Sequence, residues 1–458
     1  MHPQRSTFIR AACVPRDTSY PSHASGTLAE ANDLLGAHPE LATLDIHTAA
    51  ILGDDVTVAR LLEEDASLSA VTSDPYGWDA LTHLCFSRYL RLDASRSDGF
   101  VRAARALLDA GASANTGFFE SDHQPAPTRE SVLYGVAGIA HHEALTRLLL
   151  DRGADPNDDE VPYHSPEGYD LGAFRALLES RRMSPASLST MLLRKSDWHD
   201  RDGMALALDF GADANAIGHW GRSPLSHAIR SDNRADIVEL LIDRGADPTR
   251  VEKSTTAIAM AAWAGRSDLL RLFERRGFSI TPDGLDGVVA AITLGDAPRA
   301  DQLVRETPAL ADEVRAHAPM LMVRFAGVGN AKAIAMLLDR GVPVNSAEPM
   351  PDGYHDRASN ATALHVAAWR ARHELVEMLI AREADVNARD GAERTPLMLA
   401  VRACVDSYWV DERSTRSIAA LLDAGAAVAG VRLPSGYDDA DALLVARGAT
   451  PSATGRGA

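Results

Sequence analysis

Residues 223–249 read SPLSHAIRSDNRADIVELLIDRGADPT, and this stretch decides the fold. It opens with Ser223 and Pro224, residue types that favour the N-cap and the first turn of a helix. Apolar residues recur at helical spacing as far as Leu241, which predicts a second, amphipathic helix. Gly245 follows where that helix would end in a left-handed residue. The stretch therefore predicts two short helices joined by turns.

The end of this stretch recurs along the chain. The residue after each predicted helix end lies at positions 65, 111, 153, 181, 211, 245, 277, 307, 341, 383 and 425. Ten steps from 65 to 425 give a mean period of 36 residues. Four residues before each of these positions stands Leu, except for Ala207 and Phe273. Such a period is typical of repeat proteins, so the sequence predicts an all-α array of about eleven helix pairs.

The residues at these positions also predict how the second helices end. Seven of the eleven are Gly, which adopts the left-handed conformation most readily. A non-glycine residue in that conformation costs roughly 1–2 kcal/mol. At His38, Asp65 and Thr307 the next residue is Pro or Ala, and Leu follows two residues after it. We expect the helices that end there to do so without a left-handed residue.

A second phrase forms the first helix of each of the clearest helix pairs, as in TALHVAA from Thr362 and TPLMLA from Thr395. Together the two phrases resemble the ankyrin repeat, over about residues 28–450. The resemblance implies an all-α solenoid of helix pairs with short turns and a concave, protein-binding surface. It also implies a structural role for His365, because the corresponding His of the family bonds within the scaffold.

The chain divides by sequence into three parts. Residues 1–27 are interpreted as an N-terminal extension, and residues 28–450 as a single elongated repeat array. End caps are expected near residues 28–41 and 437–448, since terminal repeats must cover their open faces. Residues 451–458 are expected to form a disordered tail.

Two turns of the array are longer than the others. The usual distance from a helix end to the next first-helix Leu is 14 residues, but it is 22 after Gly111 and 23 after Gly341. The extra residues fall in Thr116 to Glu130 and in Ser346 to Asn360. By analogy with ankyrin repeats, both insertions are predicted to be long fingers, and such insertions often carry function.

Aromatic and His residues in turns and insertions are the candidate contacts with a partner protein, because Trp and Tyr are frequent in binding hot spots. These candidates are Phe118, Phe119, Trp220, Tyr354, His355 and Trp409. For Phe118 and Phe119 two alternatives stay open, packing on the scaffold or contact with a partner. Trp78 and Trp220 either cover a neighbouring turn or contribute to a partner surface.

Composition limits the class of partner. The 458 residues carry 46 Lys and Arg against 64 Asp and Glu, a net charge of −18. This charge opposes binding to nucleic acid and to anionic membranes. Three isolated cysteines indicate a reducing cytoplasm, and neither a signal peptide nor an apolar run of about 18 residues is present. The partner is expected to be another protein, and the chain a monomer.

No catalytic, cofactor-binding or metal site is predicted. His141 and Glu143 match half of a zinc deaminase signature, but the Cys pair that completes it is missing. Asp155, Asn157 and Asp159 have the spacing of a calcium loop, which the repeat ending already explains. Cys85 is interpreted as a buried small apolar residue.

The favoured function is that of a non-catalytic protein-binding scaffold. Two alternatives stay open: an effector or immunity-type binding protein, and an enzyme with its site in the inserted loops. A composition rich in Ala, Arg and Asp is compatible with a bacterial source.

Overall fold

The computed structural model of the chain describes residues 2–15, 22–120, 127–218, 220–407 and 413–450. The described residues are mostly helical and form eleven consecutive helix pairs, which confirms the predicted all-α repeat fold. The chain divides into two compact units, Met1–Ala246 and Asp247–Ala458. The predicted disordered tail, residues 451–458, lies outside the described residues.

The first unit contains two N-terminal helices, six helix pairs and an additional short helix, α6, inside the second pair. Its helices are α1 Arg5–Ala12, α2 Ala29–Ala37, α3 Ile46–Ile51, α4 Asp55–Glu64, α5 Ala80–Cys85, α6 Arg88–Leu92, α7 Ser97–Asp109, α8 Val132–Tyr134, α9 Glu143–Asp151, α10 Glu160–His164, α11 Gly172–Glu179, α12 Pro185–Asp197, α13 Arg201–Asp209, α14 Pro224–Arg230 and α15 Ala235–Asp243. Helix α8 continues as a π-helical turn over Gly135–Ile139.

The second unit contains five helix pairs and a C-terminal helix. Its helices are α16 Ala257–Trp263, α17 Ser267–Arg275, α18 Gly284–Leu294, α19 Ala297–Glu306, α20 Ala309–Val328, α21 Ala331–Asp339, α22 Ala363–Trp369, α23 His373–Ala381, α24 Pro396–Ala403, α25 Arg416–Asp423 and α26 Asp438–Ala446. Within this unit, first helices pack on first helices, from α16 through α18, α20 and α22 to α24. Small Ala residues at these contacts, such as Ala262 and Ala367, are fully buried.

The second helices are held by the apolar residues that the repeat predicts. Leu107, Leu149, Leu241 and Leu379 are each 0% exposed. In the first unit α4, α7, α9 and α11 pack in succession. Each pair therefore buries its apolar face against the next, as expected of a repeat array.

The helix ends follow the glycine pattern. All seven Gly at the predicted positions have positive φ, for example +89° at Gly245 and +84° at Gly341. Asp65 and Thr307 have φ of −152° and −138°, which confirms that their helices end without a left-handed residue. Arg181 and Glu383 are left-handed without being Gly, with φ of +55° and +65°.

Asparagine side chains connect successive repeats behind these helix ends. Asn387 Nδ2 donates to Gly425 O at 3.2 Å, and its Oδ1 accepts from Ala427 N at 2.7 Å. Asn115 makes the same two bonds, to Gly153 O and from Asp155 N. The amide side chain thus satisfies a carbonyl and an N–H of the next turn, which explains why Asn closes the recurring phrase.

The two predicted fingers contain short antiparallel hairpins, and a third hairpin, not predicted, precedes α16. The strands are β1 Gly117–Glu120 with β2 Thr128–Ser131, β3 Val251–Glu252 with β4 Thr255–Thr256, and β5 Ala347–Glu348 with β6 Ala361–Thr362. The third hairpin turns at Lys253 and Ser254, both with positive φ. Its turn residues are not Gly or Asn, so the usual sequence signal of a tight hairpin is missing.

His365 is 0% exposed and lies within the scaffold. Its Nε2 faces Ala388 O at 3.0 Å and Arg394 O at 3.1 Å, while Nδ1 faces Thr362 Oγ1 at 2.8 Å. Its predicted structural role is confirmed.

Among the described helices, none combines the length and the apolar character that crossing a bilayer requires.

Candidate partner-binding site at the fingers

The hairpin of the first finger has an inner and an outer face, because successive side chains of a strand point to opposite sides. Phe118 pairs across the hairpin with Glu130, and Phe119 pairs with Arg129. Phe118 and Glu130 are 7% and 0% exposed, whereas Phe119 is 64% exposed and Arg129 is also exposed. The hairpin thus presents one aromatic side chain inward and the next one outward.

Phe118 packs on the scaffold. Its ring stacks on Trp78 with centroids 4.5 Å apart, and it meets Phe86 edge-on at 4.9 Å. Trp78 is itself buried and lies in the turn before α5. Packing on the scaffold and contact with a partner are the two alternatives for the Phe pair. Phe118 packs on the scaffold, whereas Phe119 is exposed to solvent.

Acidic and aromatic groups lie together on the inner face of this finger. We call this group the finger-base cluster, and its members are His23, Glu120, Glu130, Tyr134 and Glu160. His23 Nε2 lies 2.6 Å from Glu120 Oε2, and His23 Nδ1 lies 3.0 Å from the Tyr134 hydroxyl. Glu130 Oε2 is 4.0 Å from His23 Nδ1, beyond hydrogen-bond distance. Strand β1, strand β2, helix α8 and the start of helix α10 together hold this cluster.

The surroundings of the cluster raise the pKa values of Glu130 and of the neighbouring His164. Burial, followed by repulsion from Glu160 and Glu120, raises the pKa of Glu130 to about 8. Burial by itself lowers the pKa of His164, but hydrogen bonds to Glu160 and Glu167 outweigh it and raise that pKa to about 9. At neutral pH Glu130 therefore holds a proton and His164 carries a positive charge.

The second finger ends in an ordered, exposed tip. Tyr354 is 50% exposed and lies edge-on to His355, with ring centroids 5.0 Å apart. Asp352 fixes the turn, since its Oδ1 accepts from Tyr354 N at 3.2 Å. Met350 on the same finger is 67% exposed. The tip thus combines a tyrosine, an imidazole and a thioether in a defined turn.

The other two candidates lie elsewhere. Trp220 stacks on His227 with centroids 5.3 Å apart and an interplanar angle of 16°, and it lies edge-on to Tyr163. Trp220 is half-buried, so it covers its own repeat while part of the ring faces solvent. Trp409 lies outside the described residues.

One group in the described residues has the arrangement of a metal site. His2 Nε2 and His38 Nδ1 lie 2.9 Å and 3.4 Å from Glu40 Oε1. However, His2 Nδ1 accepts a hydrogen bond from Gln4 N at 3.2 Å, which places the ring proton on Nε2. In this orientation His2 presents a hydrogen to Glu40, whereas a metal needs the lone pair of that nitrogen.

All three cysteines are buried, as predicted for Cys85. Burial raises the pKa of each thiol, most strongly for Cys13 and Cys85. A protonated, inaccessible thiol is a poor nucleophile and a poor metal ligand.

The sequence interpretation missed the finger-base cluster. The sequence predicts a finger from Thr116 but no strands within it, so it does not predict which of its side chains share a face. A strand assignment would have placed Phe118 and Glu120 on one face by their two-residue spacing. His23, another member of the cluster, lies 97 residues before Glu120, and no local pattern connects the two.

Comparison with known proteins agrees with this geometry. The family model described as Ankyrin repeat matches residues 220–253 and 359–391, which cover the helix pair α14–α15 and the pair that begins at α22. The chain is an ankyrin-repeat protein. Ankyrin repeats are generally protein–protein interaction scaffolds.

Curated relatives of this ankyrin-repeat protein match over short segments. Ankyrin repeat and SOCS box protein 6 of Mus musculus is 34% identical over 96 residues, which are 19% of this chain and 21% of the relative. The Homo sapiens protein of the same name is 29% identical over 135 residues, 25% of this chain and 30% of the relative. The chain thus spans about a fifth to a third of the length of the curated relatives it matches.

Solved structures similar to this ankyrin-repeat protein are themselves ankyrin domains. The human ASB11 ankyrin repeat domain is 16% identical, with 57% of this chain and 99% of that chain covered and a TM-score of 0.25. The ankyrin repeat domain of Bcl-3 is 20% identical, with 50% and 97% covered and a TM-score of 0.23.

Proposed function

We propose that this ankyrin-repeat protein is a non-catalytic scaffold that binds another protein through its fingers. The observation that carries the proposal is the alternation in the first finger, where Phe118 packs inward on Trp78 and Phe119 faces outward. An exposed aromatic residue on a fixed support loses little conformational freedom when it binds. Tyr354 and His355 occupy a comparable position on the second finger.

Three features support a binding role rather than catalysis. The cysteines are buried and protonated, and His365 is engaged by backbone carbonyls. The relatives share ankyrin repeats, which generally bind proteins. A cytoplasmic location and a monomeric state belong to the same proposal, as does the expectation that neither nucleic acid nor membrane is the partner; the net charge of −18 supports that last part.

Site-specific photo-crosslinking tests the proposal. A benzophenone amino acid replaces Phe119, Tyr354 or, as a matched control, Val56, which is 74% exposed on helix α4. We expect the two finger positions to capture the same protein and Val56 not to capture it. With that protein in hand, Phe119→Ser should weaken its binding at least tenfold, about 1.4 kcal/mol, and Val56→Ser should not.

Two results would contradict the proposal. One is equal crosslinking from Val56 and from the fingers. The other is an affinity for the captured protein that survives both Phe119→Ser and the double change Tyr354→Ala with His355→Ala. Melting temperatures of all variants separate a loss of contact from a loss of fold.

A further inference from the structure

Glu130 is a buried carboxyl group without a hydrogen-bond partner. The residue is 0% exposed, and neither Oε1 nor Oε2 has a hydrogen-bond partner. Burying a polar group without a partner costs stability, so such groups are rare in folded proteins. An apolar residue opposite Phe118 would serve the hairpin alone better. The carboxyl group at this position therefore points to a ligand.

The surroundings of Glu130 specify the charge of that ligand. Glu160, Glu120 and Asp158 repel a negative charge at Glu130, and His164 partly compensates for them. Tyr134 and Phe118 add aromatic faces and edges to the same place and are 4% and 7% exposed. A site that joins carboxylates to aromatic rings attracts cations by charge and by cation–π contact.

A side chain of the protein itself already occupies this place. His23 contacts Glu120 at 2.6 Å and the Tyr134 hydroxyl at 3.0 Å, and its ring meets Phe118 edge-on at 6.4 Å. It projects from an irregular segment whose neighbouring residues, Ser22 and Ala24, are exposed. A single imidazole thus closes the cluster, and moving that segment would open it.

The spacing of the acidic groups specifies the size of the ligand. Among the described residues, only His2, His38 and Glu40 bring three metal-ligating atoms within 4.8 Å of one another. The carboxyl groups of the finger-base cluster are therefore too widely spaced to surround a bare metal ion. A planar guanidinium, with five N–H donors directed outward, reaches several separated carboxylates at once.

We infer that the finger-base cluster binds the side chain of an arginine from the partner protein, and that His23 occupies this site when the partner is absent. The inference rests on the proposed binding function and names its chemistry. Binding ionises Glu130, so a proton leaves the carboxyl group as the guanidinium enters. The other titratable groups around the Glu130 carboxyl are Glu120, Glu160, Asp158, His164, His23 and Tyr134.

The test uses the full chain and a pair of short peptides. The probe is acetyl-Gly-Arg-Gly-amide, and its control replaces Arg with citrulline, which has the same shape without the charge. Ligand-observed NMR titration should show saturable binding of the Arg peptide to the His23→Ala variant and at least tenfold weaker binding to the unaltered chain. Binding of both peptides with equal affinity, or no saturable binding of the Arg peptide, would overturn the inference.

Further variants locate the binding. Adding Glu130→Gln to His23→Ala should weaken the Arg peptide at least tenfold, whereas Glu179→Gln, which alters an exposed carboxylate paired with Arg147, should not. If the Glu130 double variant does not fold, as judged by circular dichroism, Glu160→Gln takes its place. Unchanged affinity in the Glu130 or Glu160 variant contradicts the site.

Calorimetry provides a second readout. In buffers of different ionisation enthalpy, binding at pH 7 should release protons, and Glu130→Gln should reduce that release. The peptides need no identified partner, so a negative result overturns the arginine site and leaves the crosslinking test of the fingers unaffected. If the Arg peptide binds but neither finger position crosslinks a protein, the arginine site stands and the proposed function of the fingers fails.

Discussion

Glu383 adopts a left-handed conformation at a position that most other repeats fill with glycine. Its φ is +65°, against +89° at Gly245. Replacing it with Gly removes the clash of its Cβ with the backbone, and we expect Glu383→Gly to raise the free energy of unfolding by about 1 kcal/mol. Urea denaturation measures the change.

Thr307 is the matched control for this substitution. It ends helix α19 with φ of −138°, so glycine relieves no strain there. Thr307→Gly should lower the free energy of unfolding by about 0.5–1 kcal/mol, because it only adds freedom to the unfolded chain. A Glu383→Gly variant that loses as much stability as Thr307→Gly would refute the strain argument.

Glu130 makes stability depend on pH. Its pKa is raised from 4.5 to about 8 in the folded chain, so between these values the folded state binds a proton that the unfolded state has released. The stability that this proton provides is complete below about pH 4.5 and is lost as the pH rises to about 8. Glutamine does not ionise. Glu130→Gln should therefore become progressively more stable than the unaltered chain across this range, by up to about 1.4 kcal/mol per pH unit.

Melting curves from pH 5 to pH 9 check this prediction. Glu179→Gln, at an exposed ion pair with Arg147, should show no comparable trend. A stability difference between Glu130→Gln and the unaltered chain that stays constant with pH would mean that Glu130 is ionised throughout.

The first finger is the element whose two faces have opposite roles. Phe118→Ala removes a ring that stacks on Trp78 and should cost about 3–5 kcal/mol. Phe119→Ala removes an exposed ring and should change stability by less than about 0.5 kcal/mol. Hydrogen exchange of the β1 and β2 amides reports the loss locally, and equal effects of the two substitutions would contradict the alternation.

Helix pairs were predictable from sequence, and the finger base was not. Most second-helix ends are encoded within a few residues, by a Leu that the next pair buries and by a Gly whose positive φ no other residue adopts as easily. The finger base depends on His23 and Tyr134, which are 111 residues apart in the chain. Their contact arises from stacked repeats and a hairpin register, neither of which is a local property.

At the scale of the molecule, stability in a repeat array is a sum over neighbouring pairs. Leu241 is 0% exposed in α15, which packs on α13 and α14 within the first unit. We expect Leu241→Ala to cost about 2–5 kcal/mol and to raise hydrogen exchange in those three helices, while α4 and α7 keep their protection. Val56→Ala, at an exposed position, should leave exchange unchanged. Uniform loss of protection throughout the unit would indicate a single cooperative core.

The alternation of the first finger also bears on how recognition in this protein evolves. Phe118 is held by the Trp78 and Phe86 rings beneath it, and Arg129 donates a hydrogen bond to the backbone carbonyl of Asn115. Phe119 is 64% exposed, so a substitution there changes the outer surface more than the packing. A lineage could therefore exchange one partner for another through this codon, and a library randomised at Phe119 would sample new specificities on an unaltered framework.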